Sequence, residues 1–256
     1  MPLILFSHGL GGSLDAGTTW ARAWSDAGFA VIHLQHPGSD RAILRSGELR
    51  AAMSGTQLAA RAADVRFVLD EIPRNRREGD CDLSRLDLGH VGMSGHSFGA
   101  HTTLAVAGQR FGATRAGAAD PRIDAAIVFS PAPPMAGSDE QAFGDIRIPV
   151  FSLTGTRDSV PLTPTITPED RERPFRAMPP GGKYLLVMSG ANHAAFSGGG
   201  GFARAPADPH VDSTVTAATL AFWRWTLMGD AAARRLLDDP DGLAASLAPG
   251  DRLVRR

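Results

Sequence analysis

At 256 residues the chain is long enough for one large α/β domain, and residues 1–256 are expected to form a single one. A net charge of -1, with 43% hydrophobic and 21% charged residues, leaves no basic face for nucleic acid or for an anionic membrane surface. No apolar run approaches a transmembrane helix and the N-terminus lacks a basic-then-apolar signal, so no stable membrane association is expected and the chain as written reads as cytoplasmic, or as secreted if a signal has been removed.

The apolar runs are short and β-rich and alternate with longer helical patterns, the order of a mostly parallel sheet with crossover helices on both faces. The first strand, Leu3–Ser7, leads into Phe6-Ser7-His8-Gly9-Leu10-Gly11-Gly12, whose glycines let backbone approach a reacting group closely. A helix is predicted over Thr18–Ala27, a strand over Ala30–Leu34, then an irregular stretch, Gln35–Gly55. His33 and His36 lack any supporting Asp, Glu or Cys at ligand spacing, so no metal and no cofactor is expected. A helix over Gln57–Glu71 runs into a polar loop holding Cys81, which as the sole cysteine excludes an intrachain disulfide.

The third strand, Leu88–Met93, runs through Gly95-His96-Ser97-Phe98-Gly99 into a small-residue helix over Phe98–Arg110. Strand, G-x-S-x-G, helix is the order in which a serine nucleophile is held on a sharp turn, with helix N–H groups aimed at a developing oxyanion. The strand Ala125–Phe129 is followed by the proline-rich Pro131–Pro149, with no carboxylate before Asp139. Val150–Thr154 leads to Asp158. A third irregular stretch, Ser159–Gly182, precedes the strand Tyr184–Met188, which leads to His193. The glycines Gly198–Gly201 read as a flexible run after that histidine, and a helix over Ser213–Met228 carries a core stripe through Val215, Leu220, Phe222, Trp223 and Leu227. The polar tail Ala248–Arg256 is expected to fray.

The irregular stretches follow the C-terminal ends of strands, where α/β sheets build their sites. Ser97, Asp158 and His193 come in the order nucleophile, acid, histidine, each after its own strand. Ser97 is read as the nucleophile, His193 as its base and Asp158 as the group that orients the base. The amides of Leu10 and Phe98 are the expected oxyanion donors. His8 is read as pinning its loop, His96 as a packing or hydrogen-bonding residue, and His101 as facing sideways from the chemistry. Pro131–Pro149 is too short for a large helical cap, so an open cleft is expected, lined by Phe98, Met135, Phe143 and Phe196. Such a cleft suits small esters of short to medium acyl length and admits polymeric ones.

Phe6-Ser7-His8-Gly9-Leu10-Gly11-Gly12, His36-Pro37-Gly38-Ser39, Ala63-Asp64-Val65-Arg66-Phe67-Val68-Leu69-Asp70, Gly95-His96-Ser97-Phe98-Gly99 and Gly190-Ala191-Asn192-His193 together resemble the predicted dienelactone hydrolase group of α/β-hydrolases, which is similar to platelet-activating-factor acetylhydrolases. The resemblance runs along nearly the whole chain and implies an α/β-hydrolase fold and a serine carboxylesterase. Three departures stand out. Dienelactone hydrolase proper uses a cysteine nucleophile where this chain has Ser97. The acetylhydrolases place their acid after the earlier strand, where this chain has Ser130 and Pro131. Relatives carry one or two strands before the His-Gly loop, so the usual N-terminal edge strands are expected to be lacking here, or the sheet to be completed by a partner, as in a homodimer. The competing readings are a lipid acetylhydrolase or lipase, which needs an apolar docking surface, and a non-catalytic binding protein on the same fold, which predicts a missing triad member or a blocked oxyanion hole.

Overall fold

Strands that are apolar at every position need cover on both faces. The computed structural model, which describes residues 1–112, 116–199 and 208–256, meets that need with one seven-stranded sheet between helices. Its strands are β1 (Pro2–Ser7), β2 (Ala30–Leu34), β3 (Asp87–His96), β4 (Ala125–Phe129), β5 (Val150–Arg157), β6 (Lys183–Asn192) and β7 (Arg252–Arg255). They lie in the order β2-β1-β3-β4-β5-β6-β7, and all are parallel except β7. This is the expected α/β class with a mostly parallel sheet, and among the described residues β2 forms one edge and β7 the other.

The alternation of side chains along β1 sorts the core into two layers. Ile4 and Phe6 pack with Trp20 and Trp24 of helix α1 (Thr18–Asp26), together with Val215, Phe222 and Trp223. Leu3 and Leu5 face the other way, onto Ala62, Val65 and Leu69 of α2 (Gly55–Glu71). The next helix, α3 (Phe98–Ala107), is buried along nearly its whole length and stops at Gly108, whose φ of 122° favours glycine. Helix α4 (Pro209–Met228) begins earlier than its apolar stripe suggests. The Asp208 carboxylate accepts from the His210 and Val211 amides, proline takes the first turn, and Gly229 closes the far end with φ 70°. No helix among the described residues is long and apolar enough to cross a membrane.

The expected frayed tail is instead a strand. Tyr184–Val187 pair antiparallel with Arg252–Arg255, Leu253 packs on the main core, and Val254 packs beside Phe175, Leu185 and Val187. Arg252 also reaches Glu172 at 2.6 Å. Two apolar residues between arginines suit an edge strand, because the charges discourage further pairing. Gly200 and Gly201 of the glycine run lie outside the described residues.

From β1 the chain crosses to β2 on one side and returns to β3 on the other. The C-terminal ends of β1 and β3 therefore flank a topological switch point, where open α/β sheets place their ligands. Farther down β3, a Cβ on Gly92 would stand 2.7 Å from Trp223 Cζ3 and 3.1 Å from Leu227 Cδ1. Gly92→Ala should therefore destabilise the fold by about 1–3 kcal/mol through overpacking. Urea unfolding would show this as a lower midpoint at unchanged slope, and an unaltered midpoint would contradict the packing argument.

Candidate active site

The turn at the end of β3 is dictated by backbone crowding. A Cβ on Gly99 would collide with the carbonyl oxygen of Ser7 and come within 3.0 Å of that of His8. One on Gly95 would strike the Gly99 carbonyl and stand 2.9 Å from Ser7 O. With both glycines pressed against β1, Ser97 between them takes φ 57° and ψ -116°, a conformation that costs a residue with a side chain energy unless its surroundings enforce it. Its N–H is tied to Phe129 O at 2.9 Å, and its half-buried side chain stands at the start of α3. The loop after β1 lies alongside, since a Cβ on Gly9 would be 3.4 Å from Ser97 Cβ. Among the described residues, neither the Leu10 amide nor the Phe98 amide has a hydrogen-bond partner.

Asp158 and His193 sit beyond the ends of β5 and β6. These loops meet closely, because a Cβ on Gly155 would stand 2.8 Å from that of Ala191. The His193 Nδ1–H donates to Asp158 Oδ1 at 2.7 Å, and Thr154 Oγ1 donates to Oδ2 at 2.8 Å. Asp158 is 0% exposed. Burial opposes its ionisation, but the His193 hydrogen bond and the charges of His193 and Arg171 outweigh that and hold the carboxyl below its ordinary range. His96, beside Ser97, joins the two halves of the site. Its ring centroid is 4.6 Å from that of His193, and its Nε2–H donates to the His193 carbonyl at 2.9 Å. No hydrogen bond links Ser97 Oγ to His193. Such contacts often tighten only when substrate binds.

Arg171 is the residue that sequence reasoning passed over. It lies in the irregular stretch between β5 and β6, where nothing local marks it as buried. Its Nε reaches Asp158 Oδ1 at 2.7 Å and the Asp158 carbonyl at 2.6 Å, while Nη1 reaches the carbonyls of Ser130 and Pro131, each at 3.1 Å. One guanidinium thus fixes the loops after β4 and β5 together. Ser130 has φ 53°, and it and Ser97 are the non-glycine residues with positive φ among those described.

The expected cleft lining needs correction at two of its aromatic residues. Phe143 is 0% exposed and packs with Leu104, Ile146 and Val150 beneath the sheet, while Phe196, also 0% exposed, packs with the main core. Both lie on short helical turns whose apolar sides face inward, so neither offers surface to a ligand. Met135 is 76% exposed, and Phe98 is buried against Leu58 and Ala105 with Leu10 beside it. His33 and His36 diverge in role. His33 packs on Phe6, whereas His36 is bonded to Ser7 and Asp64.

The strand order and the serine turn at the switch point are those of an α/β-hydrolase-like fold. Comparison with solved structures agrees: a ferulic acid esterase from Streptomyces cinnamoneus superposes with a TM-score of 0.61 at 23% identity, over 90% of this chain and 68% of that one. No family model matches the sequence, and no curated protein does.

The histidines around the site set its acid sensitivity. Burial, reinforced by Arg61, lowers the pKa of His8 to about 4, and burial with the nearby His193 lowers that of His96 to about 3. Between pH 6.5 and 4 the unfolded chain therefore takes up protons at these residues that the folded chain refuses, so stability falls as pH falls. Each histidine contributes a slope of about 1.4 kcal/mol per pH unit in that window. Asp158, with its depressed pKa, gives up stability only at lower pH. Urea midpoints measured across the window should decline toward acid, and His96→Gln should flatten the decline; midpoints independent of pH would contradict the buried neutral histidines.

Proposed function

We propose that the protein is a serine carboxylic-ester hydrolase working through an acyl-enzyme. The observation that supports this reading is the positive φ of Ser97 on the turn after β3, together with a His193 whose Nδ1 is held by a buried carboxylate. As Ser97 Oγ attacks the ester carbonyl carbon, its proton passes to His193 Nε2. Asp158 holds the imidazole in the tautomer with hydrogen on Nδ1 and stabilises the imidazolium that forms. The carbonyl oxygen, now negative, is received by the Leu10 and Phe98 N–H groups. His193 then returns the proton to the leaving alcohol oxygen. Water, deprotonated by the same nitrogen, attacks the acyl carbon and frees the acid and Ser97. The reaction so written needs no metal or cofactor.

The likeness to a ferulic acid esterase supports the ester class, and the sequence resemblance to the dienelactone hydrolase group supports a serine esterase within it. For the substrate we take esters of short to medium acyl length, with polyester chains admitted by an uncapped site. Ser97→Ala and His193→Ala should each lower kcat on a p-nitrophenyl ester on the order of a million-fold. A fluorophosphonate probe should label the wild-type protein at Ser97 and leave the Ser97→Ala protein unlabelled. Wild-type turnover by the alanine variant would sink the assignment. In a series of p-nitrophenyl esters from acetate to palmitate, kcat/KM should peak among the shorter chains; a maximum at palmitate would point to a lipase instead.

A further inference from the structure

Beneath the loop after β1 lies a buried charge that the reaction above does not use. Arg61 belongs to the inward stripe of α2, with Leu58, Ala62, Val65 and Leu69, and is 0% exposed. Burying a guanidinium costs desolvation that an apolar side chain at the same place would not incur. Among the described residues no carboxylate forms an ion pair with it. Its donors go to three hydroxyls and one carbonyl: Nε to Thr102 Oγ1 at 2.8 Å, Nη1 to Ser39 Oγ at 2.8 Å, Nη2 to Ser7 Oγ at 2.9 Å and also to the His8 carbonyl.

Each of those hydroxyls sends its own hydrogen away from the guanidinium. Thr102 donates to Phe98 O at 3.1 Å, Ser39 to His36 O at 3.3 Å, and Ser7 to His36 Nε2 at 2.9 Å. The last direction is fixed by chemistry. The Asp64 carboxylate accepts from His36 Nδ1–H at 2.7 Å, and neutral His36 then has only a lone pair on Nε2 to offer Ser7. Burial holds His36 below its ordinary pKa, which keeps it in that neutral form. A directed chain thus runs from the Asp64 carboxylate through His36 and Ser7 to Arg61. It spells aspartate, histidine, serine a second time in this protein, but Ser7 is 0% exposed and is no nucleophile for a substrate.

The chain grips the two residues whose amides are unpartnered. Arg61 holds the His8 carbonyl, two residues before Leu10. The backbone N–H of His36 donates to His8 Nε2 at 3.2 Å, and Ser39 O takes the Gly11 amide at 2.8 Å. On the other side the guanidinium carbon lies 4.6 Å from the centre of the Phe98 ring. We propose that Asp64, His36, Ser7 and Arg61 form a relay, buried from His36 inward, that positions the Leu10 and Phe98 amides to receive the oxyanion. Arg61 and Ser7 are thereby positioning residues, and this rests on the ester-hydrolase reading above.

The test compares wild type with Ser7→Ala, which cuts the relay at its smallest link, and Arg61→Lys, which keeps the charge but loses the fork. An aryl trifluoromethyl ketone serves as probe, because its adduct with Ser97 places an oxyanion where the ester's would be. Both variants should lose kcat by roughly tenfold to hundredfold, short of the hundred- to thousandfold that losing a donor outright costs. The ketone's Ki should weaken in proportion while KM stays within about twofold, the signature of an interaction made only in the transition state. A folded Ser7→Ala protein with wild-type kcat and wild-type Ki overturns the relay, as does a loss confined to KM; if Arg61→Lys fails to fold, Ser7→Ala decides. If the hydrolase reading itself is wrong, the wild-type protein shows neither turnover nor fluorophosphonate labelling, and the relay falls with it. A failure of the relay alone leaves both intact in the wild type.

Discussion

The carbonyls of Ser7 and His8 press so closely on the start of α3 that no side chain fits at position 99, and the Gly99 and Ser7 carbonyls leave none room at position 95. That approach is set by ordinary sheet packing, because β1 and β3 are parallel neighbours in register from Leu3↔Val91 to Ser7↔Gly95. Once the two backbones lie at that distance, the chain leaving β3 has one residue in which to reverse, and Ser97 absorbs the reversal with a positive φ. The strain is enforced by the surrounding strands rather than by the serine itself. The same geometry leaves the first amides of α3 without carbonyl partners, as at the start of any helix, and puts them beside the serine. The serine turn and the unpartnered amide are thus two consequences of one backbone contact.

Loops that build a site on such a sheet need to be held, and here two buried arginines do most of the holding. Arg61 secures the loop after β1, and Arg171 secures those after β4 and β5. Arg171 works mainly through backbone carbonyls and Arg61 mainly through hydroxyls, acceptors that a planar fork with five donors can gather from several segments at once. The two differ in compensation. Arg171 has the Asp158 carboxylate at 2.7 Å, whereas Arg61 makes no ion pair among the described residues and is linked to Asp64 by hydrogen bonds through His36 and Ser7. A buried guanidinium left without those partners would be strongly destabilising, so each arginine stands or falls with its whole set of acceptors.

What the sequence discloses follows from how local the cause is. Strand positions are legible because both faces of the sheet are covered, which makes Leu3–Phe6 of β1 and the whole of β4 apolar without interruption. The G-x-S-x-G turn is legible because its glycines answer to atoms that the strand order brings near. The pairing of Asp158 with His193 at 2.7 Å joins residues that chain order alone had linked. Where the cause is distant, the signal fades. Phe143 and Phe196 sit in loops that suggest a cleft, yet each points into a core assembled from other elements. Leu253 and Val254 look like a polar tail's residue until β6 presents an edge to them. Arg61 did leave a trace: it stands next to Ala62 within the stripe Leu58, Ala62, Val65, Leu69, so helical periodicity alone puts a charge in the core. Arg171 left none, since the helical turn that carries it, Glu169–Glu172, is too short to show a period.

The crowd of histidines near Ser97 raises the question of which one serves as base in the proposed reaction, and hydrogen bonding answers it. His8 has both nitrogens engaged, Nδ1–H donating to Gly9 O at 2.7 Å and Nε2 accepting from the His36 amide. His96 spends its Nε2–H on the His193 carbonyl, and burial leaves it with a pKa of about 3, too weak a base to take a proton near neutrality. His101 is likewise lowered to about 4 by burial and by Arg171 and Arg61. His193 differs from all three in having a carboxylate on Nδ1 and no partner on Nε2 among the described residues. Of these rings His193 alone is hydrogen-bonded to a carboxylate, that of Asp158, which in the proposed reaction faces the imidazolium. In the proposed reaction the proton therefore goes to His193, the one of these rings that has a carboxylate on its other nitrogen.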